Sequence, residues 1–131
     1  MEIEAAIVAK LKADTDVDTD VGGRIAATRI PDALPRPNVV YERIGTERTV
    51  ANDGPAGLVR ATVQVSCYAD SYAVAKSLAK KIRVALNGFR GTIGTLKVQS
   101  LLLDDERDAP VPASVKGVVG VNLTFAAAYN E

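Results

Sequence analysis

Four aspartates near the start of the chain form the pattern that most suggests chemistry. They occupy every second position from Asp14 to Asp20, and closely spaced carboxylates are the ligands of calcium-binding loops. An EF-hand loop that began at Asp14 would need glycine at position 19 and a bidentate glutamate at position 25. The chain has Thr19 and Ile25 there. We therefore interpret this segment as a solvated acidic loop that follows a helix, and we predict no metal site.

Two further charged clusters could bind a ligand. Residues 104–108 contain four acids and one arginine, which is typical of a charged turn in solvent. A basic cluster could contact phosphates, but 16 basic residues balance 16 acidic ones in the whole chain. Without a net positive field, specific nucleic-acid binding is not expected, and we interpret the cluster as a solvated helix face or a surface for an acidic partner. The cluster consists of Lys76, Lys80, Lys81 and Arg83.

Nucleophilic catalysis and phosphate binding have less support. The chain contains no histidine, which removes the commonest general base and metal ligand at once. Cys67 lies on the apolar side of a predicted strand, with Val63 and Val65, and we predict a buried core residue. The glycines from Gly88 to Gly94 follow a predicted helix, so they form a turn without the converging amides of a phosphate loop. We predict no catalytic residue, no cofactor and no enzymatic activity.

The composition is that of one domain covering residues 1–131. Apolar residues make up 47% of the chain and charged residues 24%, as in ordinary globular proteins. The longest apolar runs are far shorter than the roughly 20 residues that span a bilayer, so no membrane association is expected. The N-terminus is acidic where a signal peptide is cationic, and a single cysteine cannot form an internal disulfide. Both observations predict folding in the cytoplasm.

Hydrophobic periodicity predicts the elements that position these residues. Helical spacing of apolar residues predicts one helix over residues 2–13 and another from Ser71 to Asn87-Gly88. Strict alternation predicts a strand over residues 60–69 with one apolar and one polar face. Weaker patterns predict strands over 38–48, 96–103 and 115–125, and a short extended segment over 25–30. This order predicts an α+β fold: a mostly antiparallel four-stranded sheet with two helices packed on one face.

Six short segments follow one another in a characteristic order along nearly the whole chain. They are Val21-Gly-Gly-Arg-Ile25, Pro37-Asn-Val-Val-Tyr41, Asp53-Gly54 with Gly57-Leu58, Arg60-Ala-Thr-Val-Gln-Val65 with Cys67-Tyr-Ala-Asp70, Leu86-Asn-Gly-Phe-Arg-Gly91, and Val98-Gln-Ser100 leading to Asp105-Glu-Arg-Asp108. In order and spacing they resemble the tail-completion, or tail-terminator, family of long-tailed phages and related prophage or gene-transfer particles. The family commonly ends in a longer, aromatic-rich strand, whereas this chain has Phe125-Ala-Ala-Ala-Tyr129.

The resemblance implies a structural virion protein at the head–tail junction, folded in the bacterial host. It implies a homo-oligomeric ring, typically a hexamer, that terminates the tail tube and joins it to the head connector. The partners would be the tail tube protein and a head-closure or connector protein, and no catalytic residues carry over. The long glycine-containing loop over residues 49–58 is then a hypothetical mobile element that contacts the tube or a neighbouring subunit. Its interface residues would be Asn52, Asp53, Gly54, Pro55, Gly57, Leu58 and Arg60.

Two alternatives stay open at this stage. Another neck subunit, such as a head-closure or adaptor protein, needs rings and similar surfaces, so the sequence does not separate it from a terminator. A small ion- or ligand-binding module that uses the acidic loops belongs to a different functional class. Calorimetric titration with calcium distinguishes the module from a ring protein, which is expected not to bind calcium at micromolar concentrations.

Overall fold

A curled six-stranded sheet carries helices on one face. The structure is a computed structural model that describes residues 2–27, 35–51, 54–109 and 117–130. The elements in these ranges are α1 (Ile3–Ala13), α2 (Thr15–Val21), β1 (Ile25–Ala27), β2 (Asn38–Ala51), β3 (Gly54–Ala69), α3 (Tyr72–Leu86), β4 (Phe89–Ile93), β5 (Leu96–Ala109) and β6 (Val119–Asn130). The strand order is β1-β2-β3-β6-β5-β4. β1 runs parallel to β2, and every other neighbouring pair is antiparallel.

The predicted α+β class is confirmed, but the prediction of four strands and two helices is wrong in detail. The described ranges contain six strands in a mixed sheet and three helices. The four predicted strands correspond to β2, β3, β5 and β6, and the additions are the short edge strands β1 and β4 and the short helix α2. Short elements carry few periodic positions, so pattern reasoning misses them most easily.

The acidic segment after α1 is a helix and not a loop. The backbone N–H of Val17 donates a hydrogen bond to Asp14 Oδ1 at 3.1 Å, which caps the N-terminus of α2. Val17 and Val21 are spaced by four residues and both are fully buried. Gly22 follows in the left-handed conformation, with φ of 55°, and ends the helix. Burial of the two valines and both caps therefore outweigh the poor helix propensity of the intervening aspartates.

The charged segment 104–108 is part of a strand and not a turn. β5 continues through it to Ala109 and pairs with β6 over its length. The glycine segment 88–94 is also more than a turn, since Phe89–Ile93 forms β4 and the reversal is confined to Gly94-Thr95. Of the predicted extended segment 25–30, residues 25–27 form β1 and the remainder lies outside the described residues. The last strand begins at Val119, and residues 115 and 116 also lie outside.

The core lies between the helices and the inner face of the sheet. In β3 the alternation predicted from sequence is confirmed, because Val63, Val65 and Cys67 are fully buried. β6 is central and contributes Leu123, Phe125 and other alternating residues to the same core. The amphipathic stripe predicted for α3 is also buried. Ser71 caps this helix by accepting a hydrogen bond from the N–H of Val74 at 3.3 Å.

Gly120 allows a close contact on the outer face of the sheet. A Cβ added there would lie 2.7 Å from ring atoms of Tyr68 and 2.9 Å from Cβ of Ala109. We expect Gly120→Ala to lower the free energy of unfolding by about 1–3 kcal/mol, because the ring and the β5 backbone must shift. Gly45→Ala is the matched control, since nothing lies within 4 Å of an added Cβ there. Urea denaturation of the two variants tests the prediction, and equal stabilities would contradict it.

Candidate assembly surface

The hairpin of β2 and β3 extends beyond the rest of the sheet. β2 pairs with β3 as far as Ala51 opposite Gly54. β3 pairs with β6 only up to Leu58 opposite Asn130. Beyond Leu58, the described residues of β2 and β3 therefore have no pairing partner outside their own hairpin. We call residues 49–57 the arm.

The arm contains most of the interface residues predicted from the sequence. The prediction of a long loop is wrong, because strand pairing continues to Ala51 and resumes at Gly54. Gly57 has φ of 80°, a left-handed conformation that favours glycine. It lies where the register shifts between Arg48 and Val50. The structure places Gly54, Pro55, Gly57, Leu58 and Arg60 together on β3, whereas Asn52 and Asp53 lie outside the described residues.

A groove of about 440 Å³ lies beside the base of the arm on the outer face of the sheet. Small side chains form its floor, among them Thr62, Ala126 and Ala128, and Leu102 on its wall is 53% exposed. Glu47 and Arg60, which are cross-strand neighbours, also line it. A floor without large side chains permits close approach of another backbone. Sequence reasoning missed the groove because it depends on which strands become neighbours.

The basic cluster on α3 is balanced by acids from other elements. Lys76 Nζ lies 3.1 Å from Asp108 Oδ1, and Arg83 lies 3.9 Å from Glu106. The hydrogen bond from Lys76 to Asp108 raises the pKa of that ammonium group. Glu106 and Asp108 alternate along β5, so both turn toward α3. Two cations of α3 and two acids of β5, which look separate in the sequence, therefore form one ion-paired seam.

Asp20 of α2 also serves the fold. Lys81 Nζ donates to Asp20 Oδ2 at 2.8 Å, which joins α3 to α2 and raises the pKa of the lysine. Among the residues with described positions, no group of three or more histidine, cysteine, aspartate or glutamate side chains could hold a metal ion. None of the helices in these ranges combines the length and the apolar character needed to cross a membrane.

Comparison with known proteins identifies the family. The family model described as tail completion protein gp17 matches residues 5–129. The chain belongs to this family. It is thereby a structural protein of phage-like particles, and its family is not one of enzymes. The predicted resemblance to tail-completion proteins is confirmed.

A solved structure shares the fold of this tail-completion chain. One chain of the "Virion of native gene transfer agent (GTA) particle" superposes with a TM-score of 0.81. The match covers 98% of this chain and 95% of that chain at 19% sequence identity, so the likeness concerns the fold alone. No curated protein matches the tail-completion chain.

Cys67 in this tail-completion domain is a core residue, as predicted. Its side chain is fully buried and its Sγ lies 3.5 Å from the carbonyl oxygen of Ala75. Desolvation by burial is the largest cause that raises the pKa of the thiol, from 9.0 to about 12. A thiol that stays neutral in the folded protein is a poor nucleophile and a poor metal ligand.

The raised pKa predicts a specific pH dependence. Above pH 9 the unfolded thiol loses its proton while the native thiol keeps it, so stability falls as pH rises from 9 toward 12. The slope approaches about 1.4 kcal/mol per pH unit within this window. Cys67→Ala lacks this contribution, so the stability difference between the two proteins should change between pH 8 and pH 10.5. Denaturant titrations measure it, and a difference that is independent of pH would refute the burial argument.

Proposed function

We propose that copies of this chain form a ring, hexameric as in the family resemblance, that terminates the tail tube and joins it to the head connector. The observation that carries the proposal is the arm. A hairpin end whose strands pair with each other and with no other described strand can contact a partner without cost to the rest of the sheet. Membership of the tail-completion family supplies the context in which that partner is a tail component.

The chemistry of the surface supports this assignment over ligand binding. Several of the charged groups that could have formed a calcium or phosphate site, among them Asp14, Asp20 and Lys76, are engaged in a cap and in ion pairs between α2, α3 and β5. The outer face of the sheet carries small and polar residues around a shallow groove. Such a surface suits contacts between folded proteins, and repeated contacts in a closed ring reinforce one another because each later contact is effectively intramolecular.

The ring and its position are tested together. Native mass measurement of the purified chain gives the number of copies, and electron microscopy with purified tail tube protein shows where the ring binds. We expect a closed ring on one end of each tube and tubes that stop growing when it is added. A chain that stays monomeric with tube protein present would refute the proposal. A ring that binds the connector and leaves tube growth unchanged would assign the chain to another neck position.

A further inference from the structure

The two lateral edges of the sheet have stepped outlines. On one edge, β1 covers β2 only at Val39–Tyr41, so residues 42–47 of β2 have no second strand beside them among the described elements. On the other edge, β4 pairs with β5 no further than Leu101. The N–H of Leu103 donates to Asn87 Oδ1 at 2.8 Å. Residues 104–109 of β5 are therefore the second edge without a neighbouring described strand.

The steps are complementary because they lie at opposite ends of the sheet. The registers place Ala26, Val40, Ser66, Asn122 and Arg107 in one row across the sheet. The protruding strand β1 thus lies level with the open part of β5. A second row runs through Glu47, Arg60, Ala128 and Ser100 and continues beside Arg90 of β4. The protruding strand β4 thus lies level with the open part of β2.

We infer that this chain pairs edge to edge with a second copy. β4 of one copy would lie beside residues 42–47 of β2 in its neighbour, and β1 of that neighbour would lie beside residues 104–109 of β5 in the first copy. The inference rests on the proposed ring and gives its contact. β4 would run parallel to β2 of the neighbour, and β1 antiparallel to β5, as the strand directions require. The sheet would then continue from subunit to subunit by strand addition.

The fit involves no axial shift between neighbours. A head-to-tail contact without rise closes into a ring if the rotation closes, whereas a contact with a rise produces an open helix. Both protrusions are one strand wide, about 4.8 Å, and each fills a step one strand deep. Continuous pairing would also remove the exposed edges, which otherwise invite indiscriminate association.

The charges at both steps permit this contact. Arg90 on β4 and Glu47 on β2 are both exposed, and Arg90 lies at the register shift beside the row of Glu47, so the joint brings opposite charges close together. At the other step, Glu106 and Asp108 are already balanced by cations of α3. Arg107 on the outer face pairs with Asp105 at 2.5 Å. The acidic strand therefore presents little net charge to the incoming β1.

Engineered disulfides test the contact with matched controls from the same four positions. In a level pair, the two cysteines would face each other across the proposed contact, in the same row of the sheet. The level pairs are Glu47→Cys with Arg90→Cys, and Ala26→Cys with Arg107→Cys. In a crossed pair, the two cysteines come from different rows. The crossed pairs are Glu47→Cys with Arg107→Cys, and Ala26→Cys with Arg90→Cys. Crossed partners lie about six rows apart, roughly 20 Å, whereas a disulfide needs Cα atoms within about 7 Å. The buried Cys67 stays out of the reaction in folded protein.

After mild oxidation of the full-length chain with tube protein present, we expect each level pair to give a ladder of covalent oligomers that ends at the ring size on a non-reducing gel. The crossed pairs should give monomer. Crossed ladders, a product that stops at dimer, or no ladder from a ring whose mass is confirmed would overturn the edge contact and leave the ring intact. If no ring is found by mass, the proposed function fails and the contact fails with it.

Discussion

Phe125→Ala is expected to lower the free energy of unfolding by about 3–5 kcal/mol, the range for removing a buried phenylalanine side chain. Phe125 is fully buried on β6, between Val63 of β3 and Leu103 of β5 in the register. The chain has only two phenylalanines and no tryptophan, so few large side chains are available to fill the cavity that the substitution leaves. A small domain has about 5–15 kcal/mol of stability in total, so the variant should approach the limit of folding.

Thr124→Ala is the neighbouring control for this prediction. Thr124 lies on the outer face of the same strand, opposite Gln64 and Asp105, and its loss removes no core volume. We expect a change within about 1 kcal/mol. Urea denaturation at neutral pH measures both variants. A cost for Phe125→Ala below about 1.5 kcal/mol would mean that the inner face of β6 is less tightly packed than its burial indicates.

The long regular elements could be predicted because their signals are local. The alternation over residues 60–69 and the apolar stripe on α3 each bury one face. Each pattern is long enough to distinguish the two-residue period of a strand from the 3.6-residue period of a helix. Helix α1 agrees with its prediction within one residue at its start. These elements form the inner layer of the fold, where burial determines residue type.

The charged segments could not be assigned from local pattern. Residues 104–108 look like a solvated turn because four acids stand together, yet Glu106 and Asp108 are balanced by side chains of α3 more than 20 positions earlier. The pairing partner is remote in sequence, so composition in a short window gives the wrong answer. The aspartates of α2 were misassigned for a related reason. Two buried valines four residues apart determine that segment, and the aspartates around them conceal this apolar spacing.

The candidate assembly surface, too, could be predicted from the sequence only in part. Glycine and proline correctly mark residues 49–58 as the reversal between two strands, but their number suggests a loop where pairing continues almost to the tip. The groove and the stepped edges could not be predicted at all. They depend on the order of strands and on which part of β5 is left uncovered, and both follow from tertiary pairing.

The proposed edge contact has a consequence for the arm. Copies joined without axial shift point the same way round the ring, so every arm projects from the same end of it. The arms would then form a crown that meets one axial partner, while the edges hold the ring together. Ring formation and tube binding are therefore expected to depend on different residues.

Shortening the arm separates these two roles. Replacing residues 50–57 by Asn-Gly closes the hairpin with a two-residue turn and leaves the described pairs between β3 and β6 and between β1 and β2 in place. We expect a folded protein with unchanged ring mass, because both stepped edges remain. The affinity of the ring for tube ends should fall at least about a hundredfold, since the loss of several weak contacts at once removes their avidity. Co-sedimentation with preformed tubes measures it.

A Gly-Ser insertion at the Gly94-Thr95 turn provides the control, because that turn lies at the same end of the sheet as the arm. It perturbs the same end of the ring without touching the arm, so tube binding should persist. If the shortened arm still gave rings that bound and capped tubes normally, the tube contact would have to lie on the opposite end of the ring or on the outer sheet face. If it dispersed the rings, the arm would be a contact between neighbours, and the stepped edges alone would not hold the assembly together.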